Sequence, residues 1–491
     1  MMNHLTKSRY IKGLQCPKYL WLDFHDPGKA TPPSDSKKSQ FQQGTDVGIL
    51  GREYFPGGVL VTGFGNHKCQ EKTANLLTQG VECLFEATFK WEGIIVKCDV
   101  LRKTDNLTWE LFEIKSSTKV KDEHIEDLAI QWYVVQMNGI HLKKAYVMHI
   151  NNQDCFYPDL SNLFTQVDVT SQVQNIVSQL PQRLQTFYTW LSQPTELEQP
   201  IGEHCTQPYT CNFKEYCWHE VPEVSIFQIS RLDKKKKAAL IAKKTFHIEH
   251  LSPDFIGTLS TNQQMFIHRY LQRETHVNYA EIKNLLSQLI YPLYFFDFEA
   301  GNPAIPRFNG VRPYQRIPFQ FSCHILTADG ELTHCEYLHT DREDPRPPLI
   351  QALVHNISNA GSVIVYNQGY EKSVLQELAT FMPEFASHLH SIVSRLWDQM
   401  AIFQNYYQHP DFLGSISLKK VLPVLVPNLS YKELAINQGD MAKNRWETAI
   451  NSGDLVIQAQ TWEELREYCH QDTLAMVEIH HYLTGLINSN R

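Results

Sequence analysis

The sequence predicts an α/β protein of two globular units joined by a helical connector. Three observations carry that expectation. At 491 residues the chain exceeds what one hydrophobic core ordinarily organises. Its 42% apolar, 20% charged and 11% aromatic residues belong to a chain that folds throughout, not to a disordered one. The pattern also changes along the chain. Residues 1–221 read as mixed α/β, residues 222–288 as mainly helical with Ile241, Phe266 and Leu285 at helical spacing, and residues 289–491 as a second α/β unit.

A net charge of −8 excludes a uniformly basic surface for wrapping nucleic acid, but not an acidic metal centre beside a local basic strip. The clearest basic run, Lys234–Lys237, reads as the solvated start of a helix. No apolar run reaches the roughly eighteen residues of a membrane span. Met1–Gly13 lacks the apolar core of a signal peptide, so a cytoplasmic protein without membrane partners is expected. Eleven cysteines in such a chain argue against a disulfide framework and make clustered ones candidate metal ligands.

In the first unit, GIIVKCDVL (93–101) and WELFEIK (109–115) are β-rich stretches separated by a polar turn, Lys103–Thr108, and read as a hairpin. Side chains two apart share one face of a strand, so Glu113 and Lys115 project together and Asp99 lies across from Glu113. Two carboxylates can hold a divalent cation that polarises a phosphodiester and acidifies a water, while a lysine orients that water or offsets developing charge. A surface hairpin with an ordinary Glu/Lys pair is the plainer alternative.

With GTDVG at Gly44–Gly48 before this hairpin and Gln131 and Tyr133 in IQWYVVQ after it, the order of motifs resembles the RecB-like branch of the PD-(D/E)xK nucleases. The resemblance covers most of residues 1–221. It implies a restriction-endonuclease-like fold, catalysis by Asp99, Glu113 and Lys115 with Mg2+ or Mn2+, and supporting roles for Gln131 and Tyr133. Many relatives carry a metal-binding histidine where this chain has Gly48, and Asp46, Glu53 or Glu86 are the available substitutes.

Three cysteines at C-x5-C-x5-C (Cys205, Cys211, Cys217) and Cys16 in LQCPKYLW bracket these motifs. Four thiolates suit an iron–sulfur cluster or structural zinc, and the tight two-residue spacings usual for zinc are absent. Several RecB-like nucleases staple their termini with a [4Fe-4S] cluster on one early and three late cysteines. The resemblance therefore implies cluster ligation by Cys16, Cys205, Cys211 and Cys217, with structural Zn2+ as the alternative. The first gap is longer than in those relatives, which leaves His204 as a substitute for Cys205.

In the C-terminal unit, the aromatic strand YPLYFFDFEA (291–300) puts Asp297 and Glu299 on one face. Further strands are expected at Ile317–Leu326, Glu331–Leu338 and Ser362–Asn367, the order of an RNase H-like fold. Near the end, Tyr468 and Asp472 stand four apart on a helix. The D-x-E and Y-x3-D motifs resemble the DEDD, or DnaQ-like, 3'-5' exonucleases, in which four acids hold two metal ions. Glu371 in VYNQGYEKSVL replaces the usual middle aspartate, and Asp398 matches a structural aspartate of that fold. The strings PYQRIPFQFS (313–322) and GSISLKKVLP (414–423) add to the resemblance; Lys419 and Lys420 in the latter could touch phosphate.

The expectation is a nuclease acting on nucleic acid, DNA before RNA, with two metal centres. The alternative is a nucleic-acid-binding or partner-binding scaffold with one or both sites inactive, favoured by Gly48 and Glu371. The whole resembles an uncharacterised bacterial family that fuses the two nuclease types.

Overall fold

The computed structural model describes residues 4–105 and 107–489. Met1–Asn3 of the N-terminal stretch and Asn106 of the expected hairpin turn lie outside them. The protein is mixed α/β with several sheets and divides into two compact units. One comprises Met1–Glu220 together with Pro303–Gln315, the other Val221–Asn302 with Arg316–Arg491. No described helix is long and apolar enough to cross a membrane.

The first unit is built on a seven-stranded mixed sheet. Strand Cys83–Trp91 pairs antiparallel with Ile94–Lys103, which pairs antiparallel with Trp109–Lys115. Trp109–Lys115 then runs parallel to Leu142–Ile150. A parallel partner needs a crossover, and the helix Asp122–Met137 supplies it. Its buried residues include Leu128, Ile130, Val134 and Val135, which join Leu101, Leu111 and Val147 in one core. The central strands Ile94–Lys103 and Trp109–Lys115 are largely buried along their length because both their faces are covered. The other face is closed by Val47, Phe55, Phe85, Phe112 and Met148. Ala304, Ile305 and Tyr314 of the returning segment 303–315 pack with them. That segment is tied in by Tyr157 N–H donating to Val311 O at 2.9 Å and by the Tyr314 hydroxyl donating to Ser116 O.

The second unit has a five-stranded sheet. Leu332–Leu338, Ile317–Leu326 and Leu293–Gly301 are antiparallel neighbours; Ser362–Val365 and Leu396–Asp398 follow in parallel. Alternation along Leu293–Gly301 sorts its side chains. Tyr294, Phe296 and Phe298 pack with Leu349, Leu353, Leu375 and Leu378 of the helices on one face. Leu293 and Phe295 pack with Met476 and Val477 of the 34-residue helix Leu455–Asn488 on the other. Asp297 and Glu299 continue the second register and so face that long helix. The helices between Val221 and Ser287 group with this unit. Lys234–Lys237 open one of them, where the Asp233 carboxylate accepts from the backbone of Lys235 and Lys236.

Candidate metal centres

In the first unit, the register that sets Val100 opposite Phe112 brings Asp99 across from Glu113. Asp99 accepts the Ile114 N–H at 2.8 Å, and Glu113 is 1% exposed. Lys115 donates to Glu113 Oε1 and to Asp127 Oδ2, each at 2.7 Å. Lys7, from the N-terminal helix Lys7–Gln15, donates to the same Glu113 oxygen at 2.8 Å and lies 3.6 Å from Asp127. Gln131 Nε2 donates to the remaining Glu113 oxygen at 2.6 Å, while Gln131 Oε1 has no partner among the described residues. Sequence reasoning missed Lys7 and Asp127.

Burial, then the charge of Glu113, pushes Asp99 up to about 7. Burial also raises Glu113, but the ammonium groups of Lys115 and Lys7 outweigh it and hold that carboxyl well below its usual range. Burial lowers Lys115, yet Glu113 and Asp127 more than compensate and keep it protonated. Three acids thus meet two permanent cations.

Tyr133 does not join this centre. A residue two beyond Gln131 is turned about 200° round the helix, and Tyr133 packs with the core beside Trp91 and Glu92. Gly48 lies in the helix Asp35–Arg52, and open space surrounds the position its Cβ would take. Of the substitutes, Glu86 is paired with Arg52 at 2.8 Å and Asp46 accepts from Gln42. Glu86 sits at an irregularity opposite Asp99, with φ +56° between the Phe85–Val100 and Ala87–Cys98 pairs.

The four cysteines line one small pocket, with Lys18, Tyr19, Phe213 and His204 also on its wall. Cys205 and Cys211 are linked through their backbones at 2.9 Å, and His204 Nε2 lies 3.7 Å from the Cys205 sulfur. Burial pushes the thiols of Cys16 and Cys217 up, and that of Cys211 to about 12; Lys18 opposes the rise at Cys217.

In the second unit, one carboxylate oxygen from each of Asp297, Glu299 and Asp472 lies within 4.8 Å of the others. They line a cavity of about 390 Å³ with Tyr366, Tyr370, Arg316, Lys443 and Tyr468. Glu371, 2% exposed, interacts electrostatically with Asp297, and its Oε2 has no hydrogen-bond partner among the described residues. Burial dominates here too. It raises Asp297 and Glu299 well above the carboxylate range, with Asp472 adding to both, and brings Glu371 to about 8 and Asp472 to about 6. Carboxylates gathered so closely repel one another, and a divalent cation offsets that repulsion.

Asp472 accepts from the Tyr431 hydroxyl at 2.6 Å, a residue missed by sequence reasoning. Lys419 Nζ donates to the Tyr468 hydroxyl at 2.9 Å and to Asn437 O at 2.6 Å, which gives GSISLKKVLP a structural part in the centre; Lys420 is exposed. Asp398 accepts the N–H groups of Asn367, Gln368 and Met400 and so fixes the start of the helix Gln368–Phe381, which carries Glu371.

Residues 294–417 match the family model described as "Domain of unknown function (DUF2779)". Among curated proteins, the chain is 25% identical over 284 residues to uncharacterized protein UU173 of Ureaplasma parvum, covering 52% of this chain and 40% of that protein. It is 27% identical over 235 residues to uncharacterized protein MG366 of Mycoplasma genitalium, covering 43% and 34%. The matches thus span well under two thirds of these relatives' length. Among solved structures, the alkaline exonuclease LHK-Exo of Laribacter hongkongensis in complex with dAMP gives a TM-score of 0.24 at 13% identity, over 39% of this chain and 88% of that one. A second structure of that exonuclease gives 0.22 over 38% and 91%, also at 13% identity. These structural likenesses are too slight to carry a fold or an activity.

Proposed function

We propose that the protein is a metal-dependent nuclease whose principal centre is Asp297, Glu299, Glu371 and Asp472. The observation that carries this reading is the gathering of three carboxylates within 4.8 Å at the wall of one cavity, with the buried Glu371 interacting electrostatically with Asp297. Lys419, which acts on Glu299 and Asp472 electrostatically, donates to Tyr468 and Asn437. A bound divalent cation supplies phosphate polarisation and an acidified water. Burial, reinforced by Asp472 and Glu299, keeps the Tyr468 phenol protonated, so it serves as a hydrogen-bond donor and not as a base. Arg316 and Lys443 on the cavity wall are placed to take substrate phosphates, and Tyr366 and Tyr370 to take a terminal base. With the D-x-E and Y-x3-D motifs, this supports a DnaQ-like 3'-5' exonuclease on an RNase H-like domain spanning 289–491.

Asp99, Glu113 and Lys115 form the second, PD-(D/E)xK-type centre of our reading, in a domain spanning 1–221. There Lys115 acts as a fixed cation, and Lys7 and Lys115 together occupy one Glu113 oxygen that a metal would otherwise use. Cys16, Cys205, Cys211 and Cys217 are assigned to a [4Fe-4S] cluster that clamps this domain, and their convergence on one pocket is the supporting observation. DNA is the proposed substrate.

End-labelled single- and double-stranded DNA incubated with Mn2+ tests the proposal. Asp297→Ala is expected to lower exonucleolytic release more than about a hundredfold, with Lys115→Ala removing the residual cleavage and EDTA abolishing both. Cleavage unchanged in both variants would remove these residues from catalysis, and no metal-dependent cleavage by the wild type would leave the scaffold reading in its place.

A further inference from the structure

A second cluster of ligating side chains lies on the same sheet and shares no residue with the carboxylates. His324 and His334 are direct partners across the antiparallel strands Ile317–Leu326 and Leu332–Leu338. His470 meets them from the helix Leu455–Asn488. The three ring centroids lie 4.5, 4.6 and 4.5 Å apart, and one ring nitrogen of each lies within 4.8 Å of those of the other two.

The rings are held by a hydroxyl network. Thr473 Oγ1 lies 2.8 Å from His324 Nδ1, Ser322 Oγ lies 2.9 Å from His334 Nε2, and the two hydroxyls are 2.7 Å apart. Fixing one nitrogen of an imidazole orients the ring and sets its tautomer, which is what the outer partners of metal-bound histidines do.

The cluster is also open on one side. His324 is buried, His334 exposed and His470 half-buried, and the latter two line a cavity of about 390 Å³ with Glu336, Arg466, Glu467 and Gln471. Three imidazoles with a fourth position open to water or a carboxylate suit a borderline-soft divalent ion. The oxygen-only set at Asp297 and Asp472 prefers harder cations, so the two positions select different metals.

We propose that His324, His334 and His470 bind one transition-metal ion of the Zn2+ class. The ion ties the Leu455–Asn488 helix to the hairpin beside it. Ser322 is the strand partner of Asp297, and Thr473 follows Asp472, so the clamp braces the two elements that carry those acids. The proposal does not depend on the nuclease reading, since metal binding is read without any substrate.

The full chain, stripped with a chelator and dialysed, is titrated with Zn2+ by calorimetry and with Co2+ by visible absorption. Wild type should bind one equivalent that His334→Ala and His470→Ala lose, with affinity at that position falling by more than about a hundredfold. The Co2+ bands lost should lack sulfur charge transfer, which separates this site from the cysteines. His268→Ala, at an exposed histidine outside the cluster, should bind as wild type does. Zn2+ should raise the Tm of wild type more than that of either cluster variant. Equal stoichiometry and affinity in wild type and both cluster variants would overturn the proposal. His334 is exposed on its strand, so His334→Gln folds as wild type and keeps the test decisive should His470→Ala fail to fold.

Discussion

Gln131 steadies the acidic end of the first centre from a fully buried position, one amide nitrogen serving both Glu113 and the Asp127 carbonyl. Gln131→Ala should strip that donor from Glu113 and lower cleavage by the first centre about 10- to 100-fold. The measurement belongs in an Asp297→Ala background, where only that centre contributes; full activity there would remove Gln131 from the machinery. Glu113, Lys115 and Gln131 were legible because strand and helix periodicities fix which side chains face together. Asp127 was within reach of the same logic, since it stands one helical turn before Gln131. Lys7 was not, because no local period links it to a glutamate 106 positions later. Tyr133 failed on the helical period itself, and Glu371 was found by motif although its burial near Asp297 depends on how a helix meets a strand.

At the scale of elements, the parallel strand Ser362–Val365 enters the second sheet through Gly361. Its φ is +88°, and a Cβ there would stand 2.1 Å from the carbonyl oxygen of Pro292. Neither the backbone conformation nor the approach tolerates a side chain, and the obstructing atom is backbone. Gly361→Ala should therefore cost at least about 2 kcal/mol, read as a lower denaturant midpoint. A midpoint within error of wild type would show that the close approach is relieved without cost. The aromatic run before Asp297 and the apolar strands beside it were readable, because burial on both faces leaves its mark on composition. The irregularity at Glu86 was not, nor was the pairing of His324 with His334, since register across a sheet is set by neighbours that no single segment reveals.

At the scale of the whole molecule, Cys16 is separated from Cys205, Cys211 and Cys217 by the entire sheet of the first unit, and yet all four line one pocket. Protein purified without oxygen should be brown, with visible absorption that Cys16→Ser abolishes. A colourless, zinc-containing preparation would replace the cluster with structural zinc. The division into two units was readable from length and from changes in pattern, but the assignment of 303–315 was not. That stretch lies between two strands of the second sheet and has no periodicity of its own, so only packing reveals where it belongs.

The excursion of residues 303–315 also sets an order of assembly. As the chain is synthesised, the core cluster that includes Val47, Phe112 and Met148 lacks Ala304 and Tyr314 when residue 220 emerges, because they are still to be translated. Until then the strand Leu293–Gly301 has been made without its neighbour Ile317–Leu326, which pairs along its whole length. The two halves of the protein therefore mature as interleaved steps, and a ribosome stalled between them would hold neither unit finished.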